Sequence, residues 1–398
     1  MRLPGLSAVA FQARAKGSRE HQVDQRSRDH HYVPIWYQKG FLAEGKTAFK
    51  VLDLNPDVFR DPAGVIRGRS RSILDKGPAA WFFEKDLYTI RMFGKEDDVI
   101  ERMLFGGIDT KGKAALEDLL AENYNRMHYS YQDAFEFLDA LRLRTPKGLK
   151  FVRKVTRTSN QQDLMIWMQK LRRMHCLMWM EGAREIFSAK DSSAKFIFTD
   201  HPVTYFNRHV PPGDPTIPKG LDPPLEWRGT QTLFPMDKEH LLVLTHREWG
   251  RAKLSHRMYA RMDRTNARLF DKSTVVSYHD VERNRTLSAD EVLEVNYILK
   301  ARANRYIAGR EEDELFPERH LKTTAWNKLG GFLMPPSFAC APQVGFTSIG
   351  FKDGSYHFQD EFGRKPKDRA EWERAKKQAE EMKAHMDRLI AADKKKTK

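Results

Sequence analysis

The sequence predicts an α+β fold: a small mixed or antiparallel sheet packed by several helices, with a charged amphipathic helix at the C-terminal end. Strand-like runs stand near 47–54, 195–200 and 231–245. Apolar residues recur at the helical period through 98–187 and again over 290–308. Near the end, Trp372, Ala375, Ala379, Met382, Met386 and Leu389 alternate steps of three and four along an otherwise charged segment, which makes one apolar seam.

In chain order, the stretch DHHYVPIWYQKGFL (29–42) comes first, with a histidine pair followed closely by Pro34. The next run, KTAFKVLDL, reads as a strand from Thr47 to Leu54, and Asn55-Pro56 ends it as a turn. A glycine-punctuated stretch follows, with a second short strand or bend expected near WFFEKDLY. From Asp97 the period becomes helical through Val99, Ile100, Met103 and Leu104, and it persists to Thr145-Pro146. The segment NQQDLMIWMQKLRRMHCLMWMEGAREIF is rich in Met and Trp. It is expected to be a buried packing helix, because thioethers fill irregular cores; a promiscuous groove is the other use of such a stripe. KFIFTDHPVTYF returns to strand character, PPGDPTIPKGLDPPLEW is too proline-rich for either element, and QTLFPMDKEHLLVLTH is the next strand. Helix resumes over SADEVLEVNYILKARANRYIAG. The expected division is therefore a disordered basic leader (1–27), a main α+β domain (28–310), an irregular extension (311–363) and a basic amphipathic helical tail (364–398).

Composition narrows the function classes. No apolar run reaches the roughly 18 residues of a membrane span, so no membrane contact is expected. Cys176 and Cys340 lie far apart, in neither a metal-finger nor a disulfide spacing, which suits a reducing cytoplasm. The net charge is +15. Residues 1–29 carry six Lys/Arg against three acids, and residues 364–398 carry thirteen against seven, leaving only about +6 on the body. The basic ends are thus where weak nucleic-acid or other polyanion contact is expected, since no concentrated basic and aromatic platform is visible elsewhere.

Four features could carry chemistry. His30 and His31 offer imidazoles beside a rigid proline, suited to proton transfer or metal ligation; a hydrogen-bonded structural role is the common alternative. In FIFTDHPV a short strand delivers Asp200 and His201 at its end, as a ligand or metal site needs; an Asx-type turn explains the same residues. Glu84, Asp86, Glu101 and Asp109 supply carboxylates for a divalent ion or merely a solvated face. Arg142 and Arg144 in LRLRTPKG could clamp a carboxylate or phosphate, or pair with helix-end carbonyls.

Together these pieces resemble domain-of-unknown-function family 4238, found mainly in bacteria. HHYVPIWYQKGF is similar to its His-Tyr-Val-Pro motif at His31, Tyr32, Val33, Pro34, Tyr37 and Phe41. EKDLY, the spaced acids of DVIERMLFGGID, and LRTP match further segments in order. FTDHPV matches its Thr-Ser-Asp-Asn-Pro-Val signature with His201 in place of the usual asparagine, and Asn296 falls in its closing helix. Asp237 and Asp109 depart from the pattern, where a proline and a glutamate are expected. The resemblance covers about residues 28–310. It implies a shared fold and no activity, and it implies that the histidine, the acids, the arginine and the Asp-Pro turn meet in space.

Two functions follow as expectations. One is a hydrolase of a phosphate-containing or nucleic-acid substrate, in one version assisted by a divalent metal ion held by His31 and Asp200. In it His31, Glu84, Glu101, Asp109, Asp200 and His201 are the catalytic candidates, and His30, Arg144 and Asn296 bind the ligand. The other is a non-enzymatic binding module whose polar cluster is structural and whose basic ends recruit polyanions. A further expectation places His31 and the Asp200 turn within contact of each other or of a shared ion.

Overall fold

The computed structural model describes residues 29–85, 106–245 and 281–334, apart from 159 and 228, with shorter pieces at 90–92, 95–97, 347–350, 356–359 and within 368–384. The expected leader, the Val99–Leu104 part of the expected helix, Asp86, Glu101 and most of the tail lie outside the described residues, and Asp97, the expected start of that helix, is strand. The described pieces of the tail at 369–370, 372–373 and 376–377 are helical.

The fold is α+β. Strand β1 (Asp29–His31) leads through Pro34, the N-cap of a short helix α1 (Ile35–Lys39), to β2 (Phe49–Asp53). The glycine-punctuated stretch holds more strand than expected: β3 (Val58–Arg60), β4 (Ile66–Arg69), β5 (Ile73–Lys76) and β6 (Phe83–Lys85). β2 pairs with β5 and β3 with β4, so 49–76 is one long hairpin. β6 pairs back onto β1. A small pair, β7 (Ile90–Met92) and β8 (Lys95–Asp97), follows.

Four helices come next: α2 (Gly106–Leu120), α3 (Tyr124–Leu143), α4 (Pro146–Thr156) and α5 (Gln161–Glu181). The helix expected to run to Phe187 stops at Glu181. Beyond Gly182, β9 (Ala183–Ser188) enters a sheet instead, pairing with β13 and β14. After it come β10 (Phe198–Thr199), β11 (Thr204–Asn207), β12 (Thr230–Pro235), β13 (His240–Thr245) and β14 (Val281–Thr286). The single strand expected in QTLFPMDKEHLLVLTH is the β12–β13 hairpin, turned at Asp237, whose carboxylate accepts from the Glu239 and His240 amides. Helix α6 (Ala289–Arg302) opens with a Ser288/Glu291 capping box and ends earlier than expected; β15 (Tyr306–Gly309) follows, and β16 (Thr347–Gly350) pairs with β17 (Tyr356–Gln359).

Two sheets matter for the site. One has the order β10-β15-β2-β5 and the other β11-β12-β13-β9-β14, in which only β14 runs parallel to its neighbour. Phe198 joins the opening motif to this framework. Its ring meets Tyr37 at 5.9 Å, Phe41 at 4.7 Å, Phe49 at 5.3 Å and Phe82 at 5.1 Å, and Tyr37 donates its hydroxyl to the Pro235 carbonyl at 2.8 Å. Buried aromatics of this kind dominate core energetics. The Met-rich helix α5 is mainly a packing helix, with Met165, Met168, Met178 and Trp179 buried. No helix among the described residues is long and apolar enough to cross a membrane.

Candidate functional site

The segment LRLRTPKG makes a corner between α3 and α4. Thr145 N-caps α4 by accepting from the Gly148 amide at 3.1 Å, and Pro146 occupies the first turn, where its missing N–H costs nothing. The corner is tight: a Cβ at Gly148 would lie 2.1 Å from the Arg142 carbonyl oxygen. The two arginines leave it in different directions. Arg144 donates to Asp109 Oδ1 at 2.8 Å and to the Tyr32 carbonyl at 3.0 Å. It therefore ties together the His-Tyr-Val-Pro segment, the second of the spaced acids and the Arg-Thr-Pro corner.

Arg142 runs into the interior. Its Nη1 lies 2.7 Å from His201 Nε2, 2.9 Å from Asp222 Oδ2 and 3.1 Å from the Val203 carbonyl. His201 Nδ1 is 2.7 Å from Thr145 Oγ1. Lys147 donates to Asp222 Oδ1 at 2.6 Å and also to the Arg302 carbonyl. The Arg142 guanidinium lies 3.4 Å over the Tyr205 ring, close enough for a cation–π contact. Behind Tyr205, His175 packs edge-on and its Nδ1 sits 2.6 Å from Asp139. The cluster is closed: Thr145, His201, Asp222, Arg142 and Lys147 are all at most 5 % exposed.

Geometry fixes the protons. His201 Nε2 also lies 3.2 Å from Asp222 Oδ2, but a guanidinium can only donate, and its closer 2.7 Å approach requires a lone pair on Nε2. Nδ1 then carries the hydrogen, given to Thr145, whose own hydroxyl goes on to the Arg142 carbonyl. Electrostatics agree. Burial, with Arg142 and Lys147 alongside, pushes His201 down to about 3 against the pull of Asp222. Burial also resists ionisation of Asp222, yet Lys147, the His201 contact and Arg142 hold its carboxyl well below the usual range. Burial lowers Lys147 despite Asp222. The result is a neutral imidazole wedged between buried ions.

The Asp200 turn is fastened elsewhere. Its carboxylate accepts from the backbone amides of Asn304 at 2.9 Å, Arg305 at 2.7 Å and Tyr306 at 3.1 Å. This clamp turns the chain out of α6 and into β15. Burial raises Asp200 in spite of those three amides. His31, by contrast, stands at the β1–β6 pair, with Nε2 3.3 Å from the Ala79 carbonyl and its ring 5.4 Å from Phe83. Among the described residues no hydrogen bond or ion pair joins His31 to Asp200, and each motif has its own attachments. Each motif ends a different strand, and nearby backbone takes up its polar atoms. Neither local alternative is quite right for Asp200, because the amides it caps are about a hundred residues away in sequence.

The remaining candidates fall as follows. His30 is buried and Glu84, its register partner on β6, is exposed. Asn296 brackets the strand before β10, accepting from the Ile197 amide at 3.1 Å and donating to the Lys195 carbonyl at 2.8 Å. Among the described residues no three His, Cys, Asp or Glu side chains converge as a metal site. Sequence reading missed Asp222, Lys147 and Thr145. Asp222 sits in the proline-rich loop read as mere connection, yet Val210, Leu221, Asp222 and Leu225 of that loop are buried. An acid set between Leu221 and the Pro223-Pro224 pair was the available signal.

No curated protein and no solved structure matches this chain. A family model described as "Protein of unknown function (DUF4238)" matches residues 29–313, which span β1 to the turn after β15 and hold both polar clusters. The motifs that converge on Arg142, Arg144 and Asp200 are those of the matched region, and the chain belongs to this family.

Proposed function

We propose that this chain is a binding module: its polar signature residues lock the fold from inside, and its basic ends recruit a polyanion. The observation that carries this is the closure of the His201 cluster, in which an imidazole, a carboxylate, an ammonium and a guanidinium face one another at most 5 % exposed. A catalytic base must reach its substrate's proton; here Arg142 already occupies the lone pair. A cytoplasmic setting accords with the buried free thiol of Cys176.

One observation supports a second reading, the hydrolase. Asp109 is a quarter exposed, and the buried Arg144 holds it at 2.8 Å, an oriented carboxylate at the surface that could meet a phosphate-containing substrate through a divalent ion. Turnover of a phosphodiester with added magnesium, abolished by Asp109→Asn, would establish it.

Equilibrium binding of a labelled single-stranded oligonucleotide, measured across salt concentrations, tests the first reading. Removing residues 364–398 deletes a net charge of +6, so affinity should fall and the salt dependence flatten by about 0.7 per lost phosphate contact. His201→Ala should destabilise the protein yet leave affinity within about twofold at a temperature where it stays folded, a change of less than about 0.5 kcal/mol. Unchanged affinity and slope on tail removal would refute recruitment by that end.

A further inference from the structure

The long hairpin of 49–76 has two halves of different character. Its proximal half, β2 and β5, lies within a sheet, whereas β3 and β4 pair only with each other. The join is firm: the Ser70 amide donates to the Asp57 carbonyl at 2.9 Å, the Asp53 amide to the Ser72 carbonyl at 2.7 Å, and Arg305 binds both carboxylate oxygens of Asp53 and one oxygen of Asp57. At the tip, Gly64 takes a positive φ of 81° and the Asp61 carboxylate accepts from the Val65 amide. The distal half is a rigid ribbon standing off the body.

Its surface is unlike that of an ordinary loop. Phe59 is 58 % exposed, Val65 52 % and Ile66 45 %, although a lone two-stranded ribbon is marginal in water and gains from covering such groups. Strand alternation puts Arg67 and Arg69 on one face of β4, and Ile66 and Gly68 on the other. Phe59 is the register partner of Gly68 and lies against it, its Cδ2 3.8 Å from where a Cβ would stand. Gly68 thus leaves the ring uncovered.

The charges are equally one-sided. Arg60, Arg67, Arg69 and Arg71 face only Asp57 and Asp61 within 57–71. Both acids are already taken, Asp57 by Arg305 at 3.0 Å and Asp61 by Arg67 at 2.7 Å. Arg69 and Arg71 make no ion pair among the described residues.

We infer that this ribbon is a contact arm for single-stranded nucleic acid, with Arg69 and Arg71 on phosphates and the Phe59 ring stacked on a base. The inference deepens the polyanion reading above and rests on it. Guanidinium forks match phosphate oxygens, and a stacking ring with cations nearby holds single strands in a sequence-tolerant way. Since Phe59 lies on the Ile66–Gly68 face and Arg69 on the opposite one, the strand crosses the ribbon's edge, with phosphates on the arginine face and a base turned onto the ring. A lipid surface fits less well. Its insertion tip would carry the Asp61 carboxylate with only Val65 beside it, while the most exposed ring, Phe59, sits farther down the ribbon opposite Gly68.

The test uses the full chain and a labelled oligo(dT) of about 15 nucleotides. Arg69→Ala/Arg71→Ala should weaken binding about tenfold and reduce the salt slope by about 1.4. Phe59→Ala should weaken it at least about fivefold with the slope unchanged. All three side chains are exposed, so circular dichroism and unfolding midpoints should match the parent. If both variants bind like the parent while tail removal weakens binding, the arm inference fails and recruitment by the tail stands. If the parent binds no oligonucleotide, both fail. If Phe59→Ala loses only binding to phosphatidylglycerol vesicles, the arm faces lipid and the inference is overturned.

Discussion

Arg142 Nη1 sits 2.7 Å from His201 Nε2, inside the protein and with Asp222 beside both. A donor-only group against that nitrogen forces the imidazole to be neutral and protonated on Nδ1. Nitrogen-15 chemical shifts of His201 should therefore report that single tautomer at neutral pH. Shifts typical of an imidazolium, or of the Nε2-protonated form, would contradict the arrangement.

The same burial sets a pH dependence. His201 takes up its proton near pH 6.5 when unfolded and near 3 when folded, so between those values the unfolded chain binds more protons. Its contribution is complete above about pH 6.5 and declines on acidification, by at most about 1.4 kcal/mol per pH unit. Asp222, whose folded value is depressed, adds further loss below about pH 3.9. Two groups oppose these trends. Asp200 is raised by burial, so its contribution is lost as pH rises from about 3.9 through its folded value; half-buried His240 is raised by Asp237 and loses its contribution as pH climbs through its own, starting from about 6.5. Urea midpoints from pH 7 to 5 should fall for the parent and fall less for His201→Asn.

Thr145 does two tasks at once, capping α4 and receiving His201. Thr145→Val keeps the shape and removes both, so a loss of about 1–2 kcal/mol is expected in urea unfolding. Thr145→Ser should recover most of it. A loss in Thr145→Ser as large as that in Thr145→Val would mean that the methyl group matters as much as the hydroxyl.

Asp200 acts on backbone. Asp200→Ala strands three amides at 304–306, and each unmet buried donor costs about 1–3 kcal/mol before relaxation. Amide hydrogen exchange at Arg305 and Tyr306 should accelerate more than exchange in α5. Uniform acceleration throughout the molecule would show that the clamp is not local.

Legibility in the sequence tracked how local each signal was. The β2 strand and helices α2, α3 and α5 declare themselves through their own periodicity, and Ser288 with Glu291 marks the start of α6. The ends were misread where distant partners decide them. Residues 303–308 leave the helix because Asp200 seizes their amides, and 183–187 become strand because β13 and β14 offer edges on both sides. β3 (VFR) is only three residues long, and β4 (IRGR) has one apolar residue among Arg and Gly, so neither offers enough alternation to read as strand. The Arg144–Asp109 pair joins two signatures the sequence had singled out. The His201 cluster was half visible, because Asp222 is supplied by a loop whose prolines hide its burial.

The asparagine usual at position 201 in the resembling family suggests a sharper comparison. A carboxamide offers one acceptor toward Arg142 and one donor toward Thr145, as His201 does, whereas alanine offers neither.

Urea unfolding of His201→Ala and His201→Asn at neutral pH is the most direct measurement of whether the cluster is structural. A structural lock predicts that His201→Ala loses about 1–3 kcal/mol and that His201→Asn loses less than about 1 kcal/mol. Should His201→Ala prove as stable as the parent or more so, as strained catalytic residues often do on removal, the cluster would not be the lock described here.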